Sequence, residues 1–302
     1  MSRDAVVAWV ESPLQLVGAA EWAHAHERTV PVAGRLTAHM GETADELIAR
    51  GARFGETQPY LGIPFTLLSQ HDHWLIGDGF SGQFRLAVTL LRPKTLTFLD
   101  DGANTLAFAK ALVGTVPYAR PGVEEGRLTT ALAPVALERT LRRGSRGRAC
   151  LFTAFEIPER DRLTEHGVAV QPHRFEWTRA TAPEAADIGP RVVMGSARPV
   201  DGRMALADFI AWVEAVAATG PVTYLPHRRE TPAQLDAVRG IRNVAISPAR
   251  LPAELVLAGA REPLEIYTLP SSTATTLPLV LEGTGSVIRT KPGRARTKGV
   301  AS

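Results

Sequence analysis

The sequence predicts an α/β protein of two doubly wound, Rossmann-like domains facing each other across a cleft. Three observations carry the prediction. Short apolar runs alternate with longer helical stretches along most of the chain, the pattern of a parallel sheet flanked by helices. The alternation breaks at ATAPEAADIGP (180–190), a stretch of Pro, Ala and acids with little periodicity, and then restarts. The 302 residues, 45% hydrophobic and 22% charged, suffice for two domains that each bury a core. The expected boundaries are 1–185, 186–288 and a basic, disordered tail at 289–302.

In chain order, AVVAWV (5–10) reads as a buried strand and PLQLVGAAEWAHAHE (13–27) as a helix. VPVAGR (30–35) is a second strand and GETADELIARGARFG (41–55) a helix, while FTLLSQ (65–70) fits either state. HWLIGDGFSG (73–82) holds a strand and a glycine loop, followed by helix QFRLAVTLL. KTLTFL (94–99) is a strand, then comes the loop DDGAN and helix TLAFAKALVG. The middle is less regular: a basic, glycine-rich turn at 142–148 precedes strand ACLFTAF. Past the linker, RVVMGS leads to helix MALADFIAWVEAVAATG, and VTYLPH to TPAQLDAVRG. NVAIS then leads to PAELVLAGA, and LEIYTLPSS to TATTLPLVLEG. Trp9, Trp22 and Trp212 fall on apolar faces and read as core.

Composition excludes several classes. The single cysteine, Cys150, cannot form an internal disulfide and suits a reducing compartment; lying in an apolar strand, it reads as core. No apolar run approaches about 18 residues, and the start reads as no signal peptide, so a cytoplasmic protein is expected. The net charge of +3 drops to −2 once Arg289, Lys291, Arg294, Arg296 and Lys298 are set aside, so the body is no nucleic-acid binder. Those five cations read first as a solvated terminus. The alternative is weak, peripheral attraction to the inner face of a membrane. The pairs in HAH (24–26) and HDH (71–73) lack further ligands, so no metal is expected.

Ligands of doubly wound domains bind at the carboxyl ends of the strands, and here those ends carry chemistry. Asp100 and Asp101 close TLTFL, with Gly102 giving a sharp turn and Asn104 behind it. A carboxylate so placed can deprotonate a hydroxyl nucleophile; the plain alternative is an Asp-Gly turn that caps a helix. Gly195 and Ser196 close RVVM. His227 closes VTYLP, with Arg228 beside it, and could neutralise or protonate a bound phosphate. Ser271, Ser272 and Thr273 close LEIYTLP where a helix begins, so they suit either a phosphate or ordinary capping.

These motifs in this order, DDG (100–102), PHR (226–228) and SST (271–273), resemble those of the bacterial sialyltransferases. The polysialyltransferase and lipooligosaccharide sialyltransferase group is nearest in flavour. ESPLQL (11–16), with Ser12 and Gln15, is similar to the Ser/Thr-Pro-Leu-Gln run after their first strand. Where those enzymes carry His-Pro, this chain has His227 followed by Arg228. The resemblance implies a GT-B fold with an acceptor-side first domain and a donor-side second domain. It implies a CMP-linked sialic or related nonulosonic acid as donor, a glycan or small-molecule acceptor, and inversion without a required cofactor or metal. It assigns the base to Asp101 or Asp100, leaving-group handling to His227, and phosphate binding to Ser271 and Ser272. Ser12, Gln15, Asp78, Gly102 and Asn104 would line the cleft.

Two rivals come from other classes. GDGFSG (77–82) matches G-x-G-x-x-G between a strand and a helix, with an acid about 20 residues on, as in dinucleotide-dependent oxidoreductases. A non-catalytic protein of the same fold, binding nucleotide or glycan, is the other.

Overall fold

The computed structural model describes residues 5–185, 188–248 and 250–291. The chain divides into two compact units, Met1–Thr181 and Ala182–Ser302.

The first unit runs β1 (Val6–Val10), α1 (Pro13–Ala25), β2 (Val30–Arg35), α2 (Ala38–Ala49), β3 (Phe54–Tyr60), α3 (Phe65–Ser69), β4 (His73–Ile76) and α4 (Gly82–Leu91). It continues through β5 (Thr95–Phe98), α5 (Asn104–Leu112), α6 (Arg127–Gly144), β6 (Ala149–Thr153), α7 (Arg160–Glu165), β7 (Val168–Pro172) and α8 (Glu176–Ala180). Its seven strands lie in the order β3-β2-β1-β4-β5-β6-β7, and every pairing is parallel. The order reverses between β1 and β4, where Val6 pairs with His73 and Trp9 with Ile76. Such a reversal opens a crevice at the carboxyl ends of the strands. All five residues of β1 are buried, as a central parallel strand covered on both faces requires. The core around it gathers Trp9, Trp74, Phe84, Phe98 and Phe108.

The second unit runs β8 (Arg191–Met194), α9 (Leu206–Ala217), β9 (Val222–Leu225), α10 (Pro232–Arg239), β10 (Val244–Ile246), α11 (Ala253–Leu257), β11 (Glu265–Thr268), α12 (Thr273–Val280) and β12 (Val287–Thr290). Its five strands are ordered β10-β9-β8-β11-β12 and are again all parallel. Val193, Phe209, Trp212 and Tyr224 anchor its own core. Two separate parallel sheets with flanking helices match the expected pair of Rossmann-like domains.

Several expectations need correction. The helix expected over 41–55 ends at Ala49, and β3 follows it. FTLLSQ is helical. The middle is more regular than it reads, because α6 runs 18 residues through Pro134. The expected tail starts too early, since β12 extends to Thr290 and its Arg289 pairs with Glu265. Residues 292–302, with most of the tail's cations, lie outside the described residues. Trp9, Trp22 and Trp212 are buried. Among the described residues, no helix is long and apolar enough to cross a membrane.

Candidate functional site

In the first unit, loops after β1, β4 and β5 converge where the strand order reverses. Ser12 caps α1 in a capping box: its hydroxyl accepts from the Gln15 backbone, and Gln15 Oε1 accepts the Ser12 N–H at 3.2 Å. Ser12 therefore serves the helix. Gln15 reaches beyond the box, donating from Nε2 to Asp101 Oδ1 at 2.7 Å. On the other side, Asn104 Nδ2 donates to Asp101 Oδ2 at 2.9 Å. Gly102 sits at φ +60°, in the left-handed region that glycine adopts without steric cost.

The two adjacent carboxylates face opposite ways. Asp100 is 2% exposed and turned into the fold. It accepts from the Thr153 hydroxyl, from the Ala154 N–H at 2.7 Å and from His173 Nε2 at 3.1 Å. It ties β5 to β6 and to the end of β7, and this structural role corrects the expectation that it could serve as the base. Asp101 faces the convergence of loops. Burial, with Asp78 nearby, pushes its carboxyl up to about 6, while Asn104, Arg120 and Gln15 oppose the rise. Neither carboxylate caps α5, whose N-cap is Ala103, without a side-chain hydrogen bond. The capping alternative fails.

Beside the Asp78 expected from the sequence, Asp101 has Arg120 and Glu11 near it. Arg120 donates to Asp78 Oδ2, and its other terminal nitrogen lies 3.7 Å from Asp101 Oδ2. Asp78 also accepts the Phe80 N–H at 2.9 Å. Glu11 has its carboxyl raised by burial and by Asp78, and Arg35 contacts it at 3.2 Å.

Protein side chains pack closely on the glycines of the loop after β4. A Cβ on Gly77 would meet Gln15 Oε1 at 2.0 Å, one on Gly79 the Phe108 ring at 2.4 Å, and one on Gly82 the Thr129 hydroxyl at 2.4 Å. At Gly79, where the fingerprint needs open backbone beside a pyrophosphate, the Phe108 ring packs instead, and this counts against the oxidoreductase rival.

In the second unit, the loops after β8 and β9 meet on Glu230. Its Oε1 accepts from the Ser196 N–H at 2.7 Å, the His227 N–H at 3.1 Å and the Tyr224 hydroxyl at 2.9 Å. Burial pushes the Glu230 carboxyl up to about 7 against these donors. The Gly195 N–H donates to Leu225 O at 2.7 Å, so both amides of the Gly195–Ser196 pair are engaged within the protein. These two residues build the loop instead of offering amides to a phosphate. The His227 ring is pushed down to about 4 by burial and by Arg228 and Arg229, and its Nδ1 accepts the Arg229 N–H at 3.2 Å. With Nδ1 accepting, the uncharged ring carries its proton on Nε2. Arg228 is exposed beside it.

The loop after β11 presents three hydroxyls. Ser272 is the N-cap of α12 but makes no capping bond. The Ser271 and Thr273 hydroxyls bond each other at 2.6 Å. Ser271 is exposed and Ser272 half-buried.

The remaining candidates are structural. His26 stacks on Trp22, His71 Nδ1 bonds Leu67 O at 2.7 Å and His73 Nε2 bonds the Thr97 hydroxyl at 2.9 Å. Burial pushes the Cys150 thiol up to about 11, so it is a poor nucleophile. Among the described residues, no group of three or more His, Cys, Asp or Glu could hold a metal ion.

Sequence signals for the missed residues were thin. Glu230 lies three residues beyond His227 in PHRRE, and His173 follows a strand end. Arg120 sits in an irregular loop with no motif around it.

No protein-family model and no curated protein matches the chain. Solved structures do resemble it. Staphylococcus aureus MnaA, solved with UDP, is 11% identical, with TM-score 0.52 over 94% of this chain and 78% of that one. A UDP-glucose:anthocyanidin 3-O-glucosyltransferase solved with UDP is 10% identical, with TM-score 0.49 over 97% of this chain and 82% of that one. Escherichia coli heptosyltransferase WaaC, solved with ADP-2-deoxy-2-fluoro heptose, is 11% identical, with TM-score 0.42 over 98% and 91%. At such identities the likeness, carried by MnaA, concerns the fold alone, and it agrees with the two parallel sheets: the chain has the two-Rossmann GT-B fold.

Proposed function

We propose that the protein is a glycosyltransferase that uses a nucleotide-activated sugar. The proposed donor is a CMP-linked sialic or related nonulosonic acid, transferred with inversion to a hydroxyl of a glycan or small-molecule acceptor. The observation that carries the reading is the Asp101 carboxyl, held by Gln15 and Asn104 and pushed up to about 6. A general base works best with a pKa near the operating pH. Ordinary surface aspartates lie well below that.

In the proposed reaction, Asp101 takes the acceptor's hydroxyl proton. The acceptor oxygen forms a bond to the anomeric carbon while the bond from that carbon to the CMP phosphate oxygen breaks with its electron pair. The transition state has oxocarbenium character, as in glycoside chemistry generally. The departing phosphate gains negative charge, for which the Ser271 and Ser272 hydroxyls, the N-terminal end of α12 and the neutral His227 N–H are suitable donors. That these hydroxyls are not engaged as caps supports the assignment. No step requires a metal or an organic cofactor. The MnaA neighbour was solved with UDP, so a uridine-linked donor is the second reading. The test is CMP release from CMP-N-acetylneuraminic acid, compared with UDP release from UDP-sugars, across an acceptor panel. CMP release that needs Asp101 supports the proposal, and turnover of UDP-sugars alone replaces it with the second reading.

A further inference from the structure

Arg120 belongs to the loop between α5 and α6, and that loop is pinned from inside the fold. Arg85, on α4, has no exposed surface. Its guanidinium donates to both Glu125 oxygens at 2.7 and 2.9 Å, to Thr129 O at 2.9 Å and to Tyr118 O at 3.2 Å. It also lies over the Tyr118 ring, 4.6 Å from the centroid. Glu125 Oε1 in turn accepts the Arg120 N–H at 2.9 Å, and the Tyr118 hydroxyl donates to Gly79 O, next to Asp78. One buried cation thus fixes both the backbone that carries Arg120 and the loop that carries its partner Asp78. Burying an arginine carries a large desolvation cost. Apolar packing would hold a loop without that cost, so the arrangement favours a directional role over simple stabilisation.

The charges facing Asp101 define that role. Asp78 and Glu11 repel its carboxylate, and Arg120 attracts it. Arg35 answers Glu11 at 3.2 Å, while Gln15 and Asn104 contribute neutral donors. Arg120 is the cation in contact with both Asp78 and Asp101.

We propose that Arg120 is a positioning residue, which keeps the Asp101 carboxylate ionised and oriented against Asp78 and Glu11 and is itself held in place by Arg85 and Glu125. The inference rests on the reading of Asp101 as the base, but its physical content can be measured without any substrate. Removing a cation at this distance raises a carboxylate pKa by about one unit or more. In Arg120→Gln, Asp101 therefore shifts upward from about 6 by roughly that amount, and Arg120→Lys, which keeps the charge, restores most of the difference. Asp78→Asn, with Arg120 intact, moves Asp101 the other way.

The experiment is a carbon-13 NMR titration of aspartate side-chain carboxyls in the full chain, with the Asp101 signal identified by its loss in Asp101→Asn. A raised midpoint in Arg120→Gln, its recovery in Arg120→Lys and a lowered midpoint in Asp78→Asn support the proposal. An unchanged midpoint in Arg120→Gln overturns it, as does a lysine variant no different from glutamine. If Arg120→Gln does not fold, the Asp78→Asn shift decides, and a midpoint that stays or rises there overturns the proposal. In a parallel assay of CMP release from CMP-N-acetylneuraminic acid, the acid limb of the pH profile should move with the NMR midpoint. NMR shifts without any CMP release would leave the positioning role standing and count against the transferase reading alone.

Discussion

Replacing each of the two adjacent aspartates by asparagine should damage two different properties. Asp100 accepts three hydrogen bonds from Thr153, Ala154 and His173 in a site that is 2% exposed. An asparagine keeps one acceptor oxygen and turns an N–H₂ group toward donors on the other side. Losing a charge-assisted bond costs about 1.5–3 kcal/mol, and an unmatched buried donor roughly 1–3 more, less whatever Thr153 recovers by rotating its hydroxyl. The expected loss for Asp100→Asn is about 2–4 kcal/mol, or roughly 5–12 °C in the melting temperature of a unit this size. Asp101→Asn keeps an acceptor for Gln15 or Asn104 and removes a carboxylate whose ionisation burial penalises, so at neutral pH its stability should match or exceed the parent's, by no more than about 3 kcal/mol. Its turnover should fall about 10²–10⁴-fold, the usual contribution of a general base. Urea unfolding followed by tryptophan fluorescence, with CMP release from CMP-N-acetylneuraminic acid, measures both properties. A parent-like Asp100→Asn unfolding curve together with full Asp101→Asn turnover would refute the assignment of opposite roles.

Other consequences can be checked in the same preparations. The rate should rise with pH through about 6 as Asp101 loses its proton, and a pH profile of kcat/KM reads this directly. The Asp101 carboxyl is raised in the folded state, so its contribution to stability is fully present below its ordinary value near 3.8 and is lost as pH rises through about 6. Asp101→Asn should flatten the fall in unfolding free energy between pH 4 and 8 by no more than about 3 kcal/mol. Ser271→Ala with Ser272→Ala should weaken CMP binding by about 1–3 kcal/mol in titration calorimetry. The fold should survive, since neither hydroxyl caps α12. Gly195→Ala should unfold or strongly destabilise the second unit in a urea titration, because its Cβ would lie 2.1 Å from Glu230 Oε1 and 2.5 Å from the His227 nitrogen.

What the sequence made legible follows from burial. Interior parallel strands such as VVAWV, HWLI and VTYL are almost wholly buried and mostly apolar, and stand out as near-continuous runs. The missed strands β3, β7 and β12 are sheet edges. FGETQPY leaves five of its seven residues exposed, Gly55 to Pro59, so no apolar pattern announces it. The chemistry divides in the same way. DDG, PHR and SST all lie at strand ends, because the alternation of elements locates those ends. Which aspartate faces inward was not legible, since both lie beyond the last residue of β5 and no longer follow its alternation. The inward choice is made by Thr153 and His173, respectively 53 and 73 residues further along the chain. Arg120 and Glu230 escaped for a related reason. Their meaning comes from partners that other loops bring to them, such as Asp78 and the Ser196 amide.

A chain that uses a cytidine nucleotide as the leaving group of a sugar transfer, as proposed, must bind that nucleotide. Calorimetric titration of the full chain with CMP, UMP, UDP, ADP and NAD tests it most directly. CMP should bind tightest, Ser271→Ala with Ser272→Ala should weaken it, and Asp101→Asn should leave it unchanged. Tight binding of UDP, ADP or NAD with no measurable affinity for CMP would contradict it.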